Sequence, residues 1–229
     1  LPSLHRFEGG CVRYYLYISD AKVDMLLPQI PGALRRKVSA KFGFDIKVLS
    51  GSLETERTTL DDRIARLAAV EEYLLENEPI GSPSQPASWI QATVDAKFMD
   101  LGDGAALFLT GAPSWILALG GSAYHLVGAS KPEQVGIPFS FLPNLTGHLT
   151  RLAEDHPELL VGSSEDVLRH LGPEVNREFE NWIEIVKWAF HNAKVTDQRI
   201  EFLAKRLVSK KGNGDTVTMA SPLYVASAE

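Results

Sequence analysis

Two short stretches of this chain gather side chains that could do chemistry together. Asp20, Lys22 and Asp24 stand within five positions, directly after an apolar run that ends at Ile18. Two carboxylates and an amine at the end of a strand would hold a metal or hydrogen-bond a ligand, while Lys22 neutralises an anion. A plainer account competes with this one. Ser19 or Asp20 would cap a short helix running from Lys22 to Leu27, with Asp24 in its first turn favoured by the helix dipole. The second stretch is Gly120, Gly121, Ser122, His125 and Gly128. Ser122 with His125 suggests a nucleophile and its base, or glycine amides that cradle an anion beside a titratable imidazole. The turn that hydrolases build around their serine is missing, and within one strand Ser122 and His125 would face opposite ways. The alternative is a tight hairpin followed by a strand that spans Tyr124 to Val127.

Other patterns point less far. Asp-x-Lys occurs at Asp20/Lys22, Asp45/Lys47 and Asp95/Lys97, a spacing used by metal-dependent nucleases. A solvated strand with alternating charge gives the same pattern. The remaining histidines lack metal-ligand spacing, and no glycine-rich phosphate loop is present, so the sequence specifies neither a metal site nor a cofactor. Trp89, Trp115, Trp182 and Trp188 would form an aromatic cage only if distant segments converged. Lys205, Arg206, Lys210 and Lys211 near the end of an expected helix complement its dipole.

Composition bounds what these residues can belong to. With 45% hydrophobic and 23% charged residues among 229, the chain is an ordinary globular one, large enough to hold a core without cross-links. Its single cysteine, Cys11, excludes an intrachain disulfide framework and points to the reducing cytoplasm. A net charge of −6 makes a general nucleic-acid binder unlikely. The longest apolar stretch, Ala105 to Leu119, is broken by Gly111 and Pro113 and is too short for a membrane helix.

The elements that must position the candidate residues follow from periodicity. Val12 to Ile18 reads as a strand so apolar that it belongs in the middle of a sheet, and Ala33 to Phe42 as a helix. Phe44 to Leu49 reads as a second strand. Leu60, Ile64, Leu67, Leu74 and Leu75 mark one face of a helix that ends near Asn77. Residues 79–88 are a Pro/Gly/Ser loop. Trp89 to Met99, Ala105 to Leu109 and Trp115 to Leu119 are strands joined by turns short enough for antiparallel hairpins. Short helices are expected between Asn144 and His170. A stronger one follows Pro173 and carries Trp182, Ile183, Val186 and Phe190, and another restarts at Thr196 or Asp197 with Ile200, Leu203, Ala204 and Leu207 inside. Thr216 to Met219 and Pro222 to Val225 read as a terminal strand. The expected fold is therefore α+β: a single domain over residues 11–229, with a mainly antiparallel sheet covered by several helices and a helix-rich C-terminal half. Residues 1–10 read as a disordered end.

Three segments carry a resemblance. Tyr15 to Pro31 (YLYISDAKVDMLLPQIP), Leu119 to Gly128 (LGGSAYHLVG) and Ala220 to Ala226 (ASPLYVA) resemble an uncharacterised bacterial family, frequent in actinobacteria, that forms a domain of unknown function. The similarity extends from Arg13 to Ala226. It implies one cytoplasmic bacterial domain and carries no activity, cofactor or catalytic residue with it.

The expectation drawn from these residues is a cytoplasmic ligand-sensing or partner-interaction module. Asp20, Lys22, Asp24, Ser122 and His125 would line a site for a small polar or anionic molecule. The alternative is an enzyme acting on a small molecule or nucleotide, with His125 as acid/base and Asp20 or Asp24 as metal ligand or second base. A third reading is a structural protein that assembles with copies of itself.

Overall fold

Alternation at positions two apart decides the architecture. The computed structural model of the chain describes residues 13–42, 60–100, 104–128, 159, 182–211 and 215–228. Its elements are, in order, β1 (Tyr14–Ile18), α1 (Asp20–Leu26), α2 (Gly32–Phe42), α3 (Leu60–Asn77), β2 (Ile80–Gly81), β3 (Trp89–Asp100), β4 (Ala105–Ala112), β5 (Trp115–Ser122), α4 (Trp182–Asn192), β6 (Asp197–Lys211) and β7 (Thr216–Ser227). Antiparallel pairs join β3 to β4, β4 to β5, β3 to β6 and β6 to β7, and a parallel pair joins β5 to β7. These five strands form a closed ring, a small β-barrel. Closure removes the exposed edges that an open sheet would leave. β1 lies outside the ring, antiparallel to β7, and the two residues of β2 run parallel to the start of β3.

Every second residue of the barrel strands points inward. Ile90 and Ala96 of β3, Phe108 of β4, Leu117 and Leu119 of β5, and Ile200, Phe202 and Ala204 of β6 meet Tyr17 from β1 in one buried cluster. Side chains fill the barrel, as expected for so few strands. Two further clusters lie on its outer wall. α4 buries Trp182, Ile185, Val186 and Ala189 against Leu107, Leu109, Ile116, Ala118 and Met219. α1 and α3 bury Val23, Leu67, Val70 and Leu74 against Leu203, Leu223 and Tyr224.

The helix-covered α+β expectation is therefore corrected to a strand-dominated barrel, and the error has a specific origin. The helix expected from Thr196 or Asp197 is instead the fifteen-residue strand β6. Ile200 and Ala204 face the barrel interior, whereas Leu203 faces the α1–α3 layer and Leu207 packs beside α4. A strand covered on both faces places apolar residues at 200, 203, 204 and 207, a spacing that imitates one face of a helix. The terminal strand is one continuous element, and Pro222 is tolerated because the register slips beside it. Leu203 pairs with Tyr224 and Ala204 with Pro222, which leaves Leu223 as an extra residue in β7.

β1 is also misplaced by its sequence. It ends the strand order instead of sitting centrally. Its apolar character reflects cover on both faces, since Tyr17 enters the barrel cluster and Ile18 the α1–α3 layer. α2, α3, β3, β4 and β5 form where periodicity places them, although Leu75 is exposed. Within the 79–88 loop, β2 is followed by a turn so tight that a Cβ on Gly81 would lie 2.4 Å from the Gln85 carbonyl oxygen. The strand expected at 44–49, the helices expected between 144 and 170, and the first part of the helix after Pro173 lie outside the described residues.

Candidate functional site

The site begins where β7 carries its extra residue. The Ser19 N–H donates to the Leu223 carbonyl at 2.8 Å, which turns the chain out of β1. The Ser19 carbonyl then accepts from the N–H groups of Lys22 and Val23, at 3.1 and 3.0 Å, and α1 starts. Ser19 is thus the N-cap residue, but its hydroxyl makes no cap bond. It accepts instead from Lys22 Nζ at 3.3 Å. Asp20 and Asp24 look toward α3: Arg63 Nε donates to Asp20 Oδ1 at 2.8 Å, and Arg66 pairs with Asp24.

The second half arrives from β5. Ser122 ends that strand, and its hydroxyl accepts from the Tyr124 N–H at 3.3 Å. That bond starts a 3-10 turn over Ala123–His125, where a strand was expected. The turn is fixed by Ala123 N–H to the Gly104 carbonyl at 2.8 Å, and beyond it Leu126 bridges to Tyr17. A strand would have sent Ser122 and His125 to opposite faces. The turn instead buries His125 edge-on against Tyr17, with ring centroids 5.7 Å apart. Nδ1 of His125 lies 3.9 Å from Oδ2 of Asp20, longer than a direct hydrogen bond.

Tyr17 ties the two halves together. Its ring is wholly buried between Phe108 and His125, and a Cβ on Gly121 would fall 2.2 Å from its hydroxyl oxygen. Only glycine allows that approach. Burial pushes the Tyr17 hydroxyl well above the usual phenol range, and the Ser19 side chain beside it acts the other way. Burial also pulls the Lys22 amine down to about 8. The amine is thus still mostly charged at pH 7 and loses its charge as the pH rises through about 8.

Of the five residues expected to line a site, the structure brings Asp20 and His125 within 3.9 Å of each other, while Lys22 reaches the Ser19 hydroxyl. Asp24 is committed to Arg66, and Ser122 spends its hydroxyl on the turn. Sequence reasoning missed the parts played by Tyr17, the Ser19 hydroxyl and Arg63. Tyr17 reads locally as strand core and Arg63 as a helix surface, and nothing local links Tyr17 to Gly121 a hundred positions away.

The family model of a family of unknown function (DUF7019) matches residues 13–229. The chain belongs to this family. The match covers nearly the same span as the resemblance read from the three sequence segments, and it includes every residue of the site. No curated protein and no solved structure matches the chain.

A second polar cluster in this DUF7019 member was invisible in its sequence. Glu71 of α3, almost fully buried, accepts from Arg13 NH1 at 2.7 Å and from the Tyr224 hydroxyl at 2.9 Å. Arg13 Nε also meets Glu201 at 2.5 Å, and its guanidinium lies 5.2 Å from the Tyr224 ring centroid. Burial works against the Arg13 charge, but Glu71 outweighs it and the group stays protonated far into alkali. Burial raises Glu201, with Arg13 acting the other way. The arrangement fastens α3 to Arg13 just ahead of β1, and to β6 and β7, and uses both Glu71 oxygens.

Elsewhere the polar motifs resolve into structure. Asp95 pairs across strands with Arg199 at 3.3 Å. Lys97 Nζ donates to the carbonyls of Phe190 and Ala193, at 3.1 and 2.9 Å, and caps the end of α4. Asp45 and Lys47 lie outside the described residues. The four tryptophans are divided among the three clusters and form no common cage. Lys205, Arg206, Lys210 and Lys211 sit on a strand, so the helix-dipole account of them falls away. Among the described residues no group of three or more His, Cys, Asp or Glu is placed to hold a metal ion, and no helix is long and apolar enough to cross a membrane.

Proposed function

We propose that the protein binds a small polar or anionic molecule outside the filled barrel, at the start of α1, where Asp20 approaches His125 and Lys22 follows two positions on. It would act in the bacterial cytoplasm as a ligand-sensing or partner-interaction module. One observation carries this reading: the 3.9 Å approach of His125 to Asp20, two residues over a hundred positions apart. Lys22 supplies a cation in the same turn of chain as Asp20. The route from ligand to response is α3. Both α1 carboxylates, Asp20 and Asp24, are held by α3 arginines, Arg63 and Arg66. An anion drawn to Lys22 and Arg63 competes with Asp20, and so alters how α1 sits on α3.

Thermal-shift measurements against a panel of small carboxylates, phosphates and nucleotides test the reading. At least one compound is expected to stabilise the native chain, by about 2.7 kcal/mol at a hundredfold excess over Kd. The stabilisation should disappear in Lys22→Ala and in His125→Ala, each shown folded by circular dichroism. Equal shifts in native protein and both variants, or no shift with any compound, overturn the reading.

The same His125–Asp20 approach favours a second reading, in which the pair performs acid/base chemistry on the bound molecule. Asp20 is the carboxylate that approaches His125, so it takes the part of second base in this reading. Turnover of a panel compound that Asp20→Asn abolishes, while binding persists, would select this reading over simple sensing.

A further inference from the structure

The Tyr17 hydroxyl serves no purpose in the packing. It is wholly buried, and among the described residues nothing is placed to hydrogen-bond it. A phenylalanine would keep the ring contacts with Phe108 and His125 and would bury no unpaired oxygen. The position of the hydroxyl is more informative. β5 runs beside β7 only as far as Leu119 and Ala220, and β1 joins the same edge of β7 where Ile18 meets Tyr224. The carboxyl ends of β1 and β5 therefore approach each other along one edge, and both chains leave the sheet there, into α1 and into the 3-10 turn. In open α/β sheets, ligands bind beyond the carboxyl ends of strands at the point where neighbouring strands part. The Tyr17 oxygen stands at such a junction: Gly121 of β5 lies so close that a Cβ there would be 2.2 Å away, and the Ser19 side chain is beside it.

We propose that the Tyr17 hydroxyl is a ligand-binding donor, which hydrogen-bonds an anionic oxygen of the molecule bound at the start of α1. The inference rests on the site proposed above and narrows its ligand to an oxyanion, a carboxylate or a phosphate. A phenol that no protein group engages keeps its hydrogen for a ligand, and a donor aimed at a charged oxygen makes one of the stronger hydrogen bonds. Burial also holds this phenol in its protonated form well beyond neutral pH. Lys22, whose amine reaches the Ser19 hydroxyl at 3.3 Å, adds a positive charge close by. The Asp20 carboxylate is engaged by Arg63, which offsets its repulsion of an anion. Entry is from the Lys22 side, because Lys22 keeps partial access to solvent whereas Tyr17 and Ser19 are fully buried. The incoming oxygen draws the amine away from the Ser19 hydroxyl and opens the way to the phenol.

The test compares the full native chain with Tyr17→Phe, using inorganic phosphate and acetate in turn as probes and sodium chloride at equal ionic strength as the control. Without a probe, Tyr17→Phe should melt at or above the temperature of the native chain, since it loses no hydrogen bond within the fold. At least one of the two anions should stabilise the native chain beyond the chloride control, and Tyr17→Phe should bind that anion at least about tenfold more weakly. The same anion should produce a tyrosine difference-absorbance signal in the native chain that Tyr17→Phe lacks. A response to phosphate alone assigns a phosphate ligand, and a response to acetate alone a carboxylate. A lower melting temperature for Tyr17→Phe means that the fold itself uses the hydroxyl, and overturns the inference. Equal binding by the two proteins also overturns it, and leaves the Lys22 site standing if Lys22→Ala abolishes that binding. No effect of either anion beyond chloride overturns it too, while the wider compound panel still decides the reading on which it rests.

Discussion

The two polar clusters of this molecule are built from similar groups and come out differently. Around Glu71, each carboxylate oxygen has its own donor, Arg13 on one side and Tyr224 on the other, and Arg13 has Glu201 as a second counter-charge. Around Asp20, among the described residues, Arg63 is the close partner of one carboxylate oxygen, and His125 stands 3.9 Å from the other. The amine beside it reaches a neutral hydroxyl. A carboxylate with both oxygens held by fixed donors works as a fastener, because a ligand would have to break those bonds to enter. The Asp20 cluster instead sets a carboxylate 3.9 Å from an imidazole, two positions before an amine whose pKa burial lowers to about 8, and it is the cluster to which we assign ligand binding.

If the Glu71 cluster is the fastener, Glu71→Ala should be the most damaging change in either group. It leaves the Tyr224 hydroxyl without its acceptor and Arg13 with Glu201 alone, and stability measured by urea unfolding should fall by about 3 kcal/mol. A loss no larger than that of Asp20→Ala would break the comparison.

Next in size is a pH effect confined to the other cluster. Folding lowers the Lys22 pKa from 10.5 to about 8. Between those values the unfolded chain binds a proton that the folded chain does not, so stability rises with pH across the window. Below about pH 8 the folded state carries the full cost of the buried charge. Unfolding free energy should therefore climb by about 2 kcal/mol from pH 7.5 to 9.5 in the native chain relative to Lys22→Met. Parallel curves for the two proteins would show that the amine is not desolvated.

The smallest expected effect sharpens the division within the fastener. Tyr224→Phe removes one donor to Glu71 and keeps the ring under Arg13, and should cost about 1.5 kcal/mol. It should leave the ligand-induced thermal shift at the Lys22 site unchanged. Loss of that shift would mean that the two clusters act as one unit through α3.

What could be read in advance followed the range of the physics involved. α3 and the hairpins β3–β4 and β4–β5 depend on neighbours a few positions apart, and their apolar periods and turn residues were enough to find them. Asp20, Lys22 and His125 stood out because polar residues next to strand ends are conspicuous in any sequence. The failures are of the opposite kind. β6 was mistaken for a helix because Leu203 and Leu207 answer to helices on the outer wall while Ile200 and Ala204 answer to the barrel interior. β1 looked central because two separate layers cover its faces.

The sequence by itself determined that the chain folds as an ordinary cysteine-poor globular protein, where most helices and strands begin, and which polar residues were worth attention. Only the tertiary structure decided that the strands close into a barrel, that a 3-10 turn at Ala123–His125 swings His125 toward Asp20, and that Glu71 is a fastener. Those outcomes depend on contacts between segments sixty to two hundred positions apart, such as Tyr17 against Gly121 or Arg13 against Glu71 and Glu201. Spacing along the chain cannot report such contacts, because strand pairing and close packing, not local preference, bring those residues together.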